Sequence, residues 1–185
     1  LSTHAMQQGE IDLLDQELQK KAVYDHLKHL RIDDIRQDES LSTYERYVLL
    51  FEEYQSLNYD TAFSLVNKMV DEAQLLGHPD YKAQAELKRA FIYLSSGLFH
   101  ESVAVFSNID PSTLSKEDQI YYYTHFARLK YDMADYVQGD LSYTYTSEGN
   151  ALSEKALKLL DPSDTEQYWS TSALYRSKMN DYPRA

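Results

Sequence analysis

The chain contains no cysteine in its 185 residues, and it has only five glycines and four prolines. The absence of cysteine excludes disulfide bonds and thiolate metal sites. Because turns need glycine and proline, their scarcity argues against a fold of many short strands and favours long helices. The sequence also lacks any run of about 18 apolar residues, so it predicts no helix that spans a membrane.

Basic residues are also in short supply, with 18 Lys and Arg against 30 Asp and Glu, which gives a net charge of −12. An acidic surface repels phosphate backbones and anionic lipid headgroups. The sequence therefore predicts no direct nucleic-acid binding and no membrane contact by this segment. Hydrophobic residues make up 43% of the chain and charged residues 26%, which is typical of a globular domain.

The clearest pattern lies at residues 87–111. Ala90 and Tyr93 are three residues apart on a predicted helix, and Gly97 permits the left-handed backbone that ends it. A second amphipathic run follows, carries Phe106, and stops before a proline. This order of small residue, aromatic residue, turn, aromatic residue and proline resembles a tetratricopeptide repeat (TPR) unit.

The resemblance to TPR proteins covers residues 42–185 and implies an all-α fold. We expect a TPR-like solenoid of helical hairpins, wound as a right-handed superhelix and preceded by one long N-terminal helix at 8–37. The predicted units lie at 42–79, 80–111 and 115–162, with a truncated fourth from 164. Within the third unit, residues 137–149 are predicted to form an insertion with turn residues. Because a half-repeat cannot bury its own apolar face, we expect one structural unit that is a fragment of a longer protein.

A narrower resemblance rests on three stretches of sequence. They are LLDQELQKKAVYDHLKHLRID, AFIYLSSGLFHESVAVFSNIDPSTL and IYYYTHFARLKYDMADY. In this order they resemble the N-terminal half of bacterial TPR-containing transcriptional regulators. That resemblance implies a periplasmic sensing or scaffold domain, followed by a membrane helix and a cytoplasmic regulatory segment. A cytoplasmic location is the second choice.

No catalytic motif is present: there is no Ser-His-Asp order, no glycine-rich phosphate loop and no zinc-protease motif. His26 and His29 lie three residues apart, a spacing that favours an exposed helix face over a metal site. We therefore predict no enzymatic activity, no metal and no cofactor. The predicted function is a protein-interaction or sensing scaffold. The alternative is a cell-surface helical-repeat protein that captures a glycan or peptide on tyrosine and tryptophan platforms.

Tyrosine is the most unusual component, with 17 residues. Tyrosine supplies contact area with a polar tip, and the first helix of each hairpin usually lines the concave side of such solenoids. We predict that a protein or peptide partner binds there, through Tyr44, Glu45, Tyr54, Lys88, Tyr93, Tyr121, Tyr122 and Arg128, with Tyr143 and Tyr145 from the insertion. Alternatively, the N-terminal helix occupies this groove. A homodimer through that helix or through the terminal repeat is also compatible with the sequence.

Overall fold

The computed structural model describes residues 2–163 and 165–180, with side chains at 14–163 and 166–179. All regular secondary structure in these ranges is helical, as predicted. The helices are α1 (Ser2–Gln37), α2 (Thr43–Tyr54), α3 (Tyr59–Leu76), α4 (Pro79–Ser95), α5 (Phe99–Ser107), α6 (Lys116–Tyr136), α7 (Asp140–Leu159) and α8 (Thr165–Asn180), with a 3₁₀ turn at Pro111–Thr113.

Consecutive helices pack as hairpins: α2 with α3, α4 with α5, and α6 with α7. The last described helix, α8, packs against α7. The predicted solenoid of helical hairpins is therefore confirmed. None of the described helices combines the length and the apolar character that crossing a bilayer requires.

Polar side chains begin several of these helices. Ser42 and Glu45 form a capping box at α2, in which each side chain bonds the other's backbone N–H. Such a reciprocal pair satisfies two of the free N–H groups at a helix start. Asn58 accepts a hydrogen bond from the backbone N–H of Thr61 at α3, and Ser115 caps α6 in the same way.

The stretch at 87–111 occupies the centre of the fold because α4 is buried on two faces. One face, with Ala85 and Ile92, joins a core that includes Phe51 of α2 and side chains of α1 and α3. The other face packs against α5 and α6 through Leu87, Ala90 and Leu94. Gly97, at φ 73°, lets α5 fold back onto α4.

The predicted insertion at 137–149 is wrong, because residues 137–139 join α6 to α7 and residues 140–149 form the first half of α7 (Asp140–Leu159). Gly149 suggested a turn, yet it lies inside the helix where the ring of Tyr131 approaches it. A Cβ at Gly149 would be 2.5 Å from Cε1 of Tyr131. Glycine is therefore present for close packing and not for chain reversal.

The N-terminal helix α1 packs along α2 through its C-terminal turns. Ile32 is buried there, Ile35 is partly buried, and Nζ of Lys28 donates to Oγ of Ser56 at 3.1 Å. The preceding turns of α1 expose large apolar side chains: Leu14, Leu18, Val23, Tyr24, Leu27 and Leu30. The helix is longer than predicted, and its contact with α2 does not support the alternative in which it fills the groove along α4 and α6.

Candidate functional site

The first helices of the three hairpins, α2, α4 and α6, and the last described helix, α8, define three interfaces that differ in how they are filled. At the α2–α4 interface Tyr44 is 1% exposed, and its ring stacks on Tyr81 with 4.0 Å between centroids. The Tyr44 hydroxyl donates to the Tyr81 carbonyl at 2.8 Å and lies 3.0 Å from Oε1 of Gln84. Burial raises the pKa of Tyr44 well above its usual value. The placement of Tyr44 on a binding surface is therefore wrong, since it fills the space between two helices.

Two other predicted site residues in α2 also have structural roles. Glu45 accepts hydrogen bonds from the backbone N–H and the hydroxyl of Ser42, at 2.9 and 2.7 Å. Tyr54 accepts a hydrogen bond from Nη2 of Arg36 at 2.9 Å, so it contacts α1 and not a ligand groove. These contacts account for both residues without a partner.

Tyr93 and Tyr122 also contact neighbouring helices of the solenoid. The Tyr93 ring lies 6.0 Å from that of Phe63 in α3. Tyr122 is 6% exposed and packs edge-on against Phe106 and Phe126, with centroid distances of 5.6 Å to each. The prediction that Tyr122 faces a partner is therefore wrong.

Tyr143 and Tyr145 lie on α7 and not in an insertion, so that prediction also needs correction. Tyr143 is exposed on α7. Tyr145 is partly buried, and Nζ of Lys130 lies 5.4 Å from its ring centroid.

The α4–α6 interface contains a buried cation. Lys88 is 6% exposed, forms an ion pair with Glu52 of α2, and lies 5.1 and 5.0 Å above the rings of Phe51 and Tyr121. An ammonium group over an aromatic face is stabilised by the ring quadrupole. The charge of Lys88 is thus neutralised internally, and its predicted place on a partner-binding surface is wrong.

His125 lies beside this cation and was missed as a site residue. Its Nδ1 is 2.8 Å from the carbonyl oxygen of Tyr121, which only accepts, so Nδ1 carries the proton. The imidazole stacks on the Tyr121 ring at 4.0 Å and meets the Phe91 ring edge-on at 4.9 Å. Burial, with Arg128 and Lys88 nearby, lowers the pKa of His125 to about 4. The imidazole is therefore neutral at pH 7, and Nε2 has a free lone pair.

The Tyr121 hydroxyl is buried and has no hydrogen-bond partner among the described residues. Its burial, and then the charge of Glu52, raise the pKa of Tyr121 well above its usual value. A buried polar atom without a partner is costly in a folded protein. The buried tyrosine hydroxyl at the α4–α6 interface therefore lacks a partner, whereas the Tyr44 hydroxyl at the α2–α4 interface has one.

Side chains do not fill the α6–α8 interface, which contains a partly open cavity of about 340 Å³. Helix α6 contributes Thr124, His125 and Arg128, and Ser153 of α7 also lines the cavity. The wall from α8 consists of Gln167, Ser170, Thr171 and Leu174. Nearer the end of α8, Nζ of Lys178 donates to Asp135 of α6 at 2.8 Å. The two helices are thus joined near one end, and a cavity lined by both polar and apolar atoms separates them elsewhere.

Arg128 is the charged group that lines this cavity. Its side chain is 52% exposed, and its nearest carboxylate is that of Asp132, at 3.7 Å from Nε. At this distance the pair is an ion pair without a close hydrogen bond. Because this contact is long, the Arg128 guanidinium retains donors for another acceptor. Burial also raises the pKa of Asp132.

Of the ten predicted site residues, the structure brings Lys88, Tyr121 and Arg128 into one region. His125 follows Tyr121 by four residues and precedes Arg128 by three, so helical spacing places all three on one face. That spacing could have identified His125. Among the described residues, no three His, Cys, Asp or Glu side chains come together as metal ligands.

Hairpins stacked in this way, with one helix of each lining a common side, define a tetratricopeptide-repeat domain, a class that serves as a protein-interaction scaffold. The family model for the SusR N-terminal TPR domain matches residues 18–185. The chain belongs to this family, which confirms the resemblance to TPR-containing regulators. No curated protein matches the chain, and no solved structure does.

Proposed function

We propose that this TPR domain is the sensing part of a membrane-tethered transcriptional regulator and lies outside the cytoplasmic membrane. The family match supports a regulator of this type. The cavity between α6 and α8 supports the sensing role, because side chains leave this interface open, whereas rings fill the α2–α4 interface.

The cavity suggests how a signal is generated. A ligand that contacts both α6 and α8 binds best when the two helices hold one separation, so it stabilises that arrangement over others. Two polar pairs join α8 to its neighbours: Lys178 with the exposed Asp135, and the Tyr175 hydroxyl with the exposed Glu154 at 2.8 Å. Pairs with an exposed partner contribute little stability, so we expect the position of α8 to respond to ligand binding.

Cysteine labelling of the full-length protein tests the location. Since this segment has no cysteine, a single Leu75→Cys substitution introduces a reporter thiol at a side chain that is 81% exposed. A membrane-impermeant maleimide should label it in cells with a permeabilised outer membrane. The Ser102→Cys variant, a nearly isosteric change at a position that is 0% exposed, and the unsubstituted protein are the controls.

Labelling that requires lysis of the cytoplasmic membrane would contradict the proposal. Labelling in cells with an intact outer membrane would indicate display on the cell surface and would favour a surface capture protein over a membrane-tethered regulator.

A further inference from the structure

We propose that the exposed side of α1 binds the same side of a second copy of this chain. The two helices run antiparallel and are centred on Leu27, with Lys20 of one copy opposite Asp34 of the other. This interaction surface is separate from the cavity between α6 and α8, and it goes beyond the proposed sensing role.

The proposed interface lies on the side of α1 that faces away from the hairpins. Ile32 is buried in the core that includes α2, and at about 100° per residue Val23 and Leu30 lie on the opposite side of the helix. Val23, Leu27 and Leu30 are 60%, 48% and 47% exposed. Two copies that pair through this side place their hairpins on opposite sides of the pair, so the hairpins do not obstruct the contact.

An open groove of about 480 Å³ runs along this side of α1. Its lining includes Lys20, Val23, Tyr24 and Leu27, at positions i, i+3, i+4 and i+7. Four residues with this spacing form the hole that receives one side chain of a facing helix in knobs-into-holes packing. In an antiparallel pair centred on Leu27, the side chain that meets this hole is Leu30 of the other copy. The same short segment thus supplies both the hole and the apolar side chain that fills it.

The charge of α1 distinguishes it from the rest of the chain. Residues 14–37 contain five Asp or Glu and five Lys or Arg, so this segment is neutral, whereas the whole chain carries −12. Two copies of an acidic chain repel each other over most of their surface. A neutral segment with exposed apolar side chains is therefore the surface where self-association meets the least repulsion.

The charged residues favour an antiparallel pair of identical chains. Lys20 and Asp34 lie seven residues before and seven after Leu27, on the same side of the helix. An antiparallel pair centred on Leu27 therefore places Lys20 opposite Asp34 at both ends. A parallel pair would place each of these charges opposite a like charge. Because the same segment supplies both halves, this side of α1 is self-complementary, as a two-fold interface requires.

Neither charge makes a strong contact within the chain. Lys20 is paired with Glu17 at 2.7 Å, and both side chains are more than half exposed, so this pair contributes little stability. Asp34 is exposed and forms no ion pair with any other described residue. By contrast, Arg31 of α1 is held by Glu53 of α2. Lys20 and Asp34 are thus the charges available to a second copy.

Sedimentation equilibrium of the 185-residue chain tests this proposal. A paired segment from 20 to 34 is about 20 Å long, which is at the small end of specific interfaces, so we expect a dissociation constant of about 1–100 μM. Circular dichroism should show that the variants below fold, since Lys20, Leu27 and Asp34 are all exposed.

Reversal of the two charges tests the register. Lys20→Glu and Asp34→Lys should each weaken the dimer by at least about tenfold, because repulsion replaces attraction at both ends of the pair. The double variant, with both substitutions, restores opposite charges at both ends. Its dissociation constant should return to within about threefold of the native value.

A single cysteine locates the two-fold axis. The chain has no cysteine, so Leu27→Cys introduces one thiol, which the proposed pairing places against the same thiol of the other copy. Mild oxidation should convert this variant to a disulfide-linked dimer. The matched control is Leu75→Cys, at an exposed leucine of α3, which should remain largely uncrosslinked under the same conditions.

Three results would overturn the proposal. One is a folded native chain that stays monomeric at about 300 μM, well above the expected dissociation constant. Another is a double charge variant that dimerises no better than the single variants, which would indicate a parallel pair or a different contact. The third is crosslinking of Leu27→Cys no faster than that of Leu75→Cys. None of these results bears on the labelling test of location, so the two proposals fail separately.

Discussion

The α2–α4 and α6–α8 interfaces occupy equivalent places in the repeat, but their side chains make opposite use of the space. Tyr44, Tyr81 and Phe51 fill the first with rings, and the Tyr44 hydroxyl donates to the Tyr81 carbonyl. Arg128 and Thr171 line the second, where a cavity remains. The difference shows that the same helical hairpins can meet in a filled interface or around a cavity, according to the size and polarity of the facing residues.

The largest expected contrast is between an apolar core residue and a cavity wall residue. Phe51→Ala removes a ring that is 0% exposed, so it should cost about 3–5 kcal/mol of unfolding free energy. Leu174→Ala removes a side chain that is 38% exposed and should cost about 1 kcal/mol or less. Urea denaturation monitored by circular dichroism measures both. Similar losses would mean that the α6–α8 interface is as well packed as the α2–α4 interface.

The next contrast concerns pH. The pKa of His125 is about 4 in the folded chain and about 6.5 when unfolded, so the unfolded chain takes up the proton first as pH falls. The contribution of neutral His125 to the unfolding free energy should be fully present above pH 6.5. It should fall by roughly 3 kcal/mol as the pH is lowered from 6.5 to 4. The unfolding free energy of the native chain, measured across this range, checks the decline.

His125→Gln is the control for this titration, because glutamine has no proton to gain. The slope of its unfolding free energy between pH 6.5 and 4 should be shallower than that of the native chain. If both chains have the same slope, His125 is not buried as described.

The ion pair at the middle interface should respond unequally to loss of either partner. Glu52→Gln leaves the Lys88 ammonium buried and uncompensated, so it should cost about 2 kcal/mol. Lys88→Met removes the buried charge and leaves Glu52 half exposed to water, so it should cost less than about 1 kcal/mol. Equilibrium urea unfolding measures the loss of unfolding free energy in both variants. A larger loss for Lys88→Met than for Glu52→Gln would show that Lys88 is hydrated.

The smallest contrast separates two tyrosine hydroxyls. Tyr44→Phe removes a hydroxyl bonded to the Tyr81 carbonyl and should cost about 1 kcal/mol. Tyr121→Phe removes a buried hydroxyl that lacks a partner among the described residues, so it should be neutral or slightly stabilising. Thermal unfolding of the two variants side by side checks this. Destabilisation by Tyr121→Phe would indicate a bonded hydroxyl.

The hairpin architecture was predictable because its signals are local. Residue 97 is a glycine where a turn is needed, and Ser42 with Glu45 has the spacing of a capping box. The first half of α7 was not predictable, because Gly149 and the Ser and Thr residues before it suggest a turn. Glycine is present at position 149 because the Tyr131 ring approaches it. This is a contact between two helices, which spacing along the chain does not report.

The candidate site was only partly predictable for the same reason. Tyr121, His125 and Arg128 share one face of α6, which helical spacing determines. Glu52, whose charge acts on Lys88 and Tyr121, comes from α2, and Gln167 comes from α8. Which side chains of separate helices meet depends on how the hairpins stack. Tyr44 was misassigned because a tyrosine suits a binding surface and a buried interface equally well.

Amide hydrogen exchange compares the two interfaces directly. The account predicts slower exchange in segments 44–54 and 81–91, which flank the filled interface, than in segment 167–174, the wall of the cavity from α8. Equal rates in these segments, or slower exchange in segment 167–174, would contradict the claim that the α6–α8 interface is less closely packed than the α2–α4 interface.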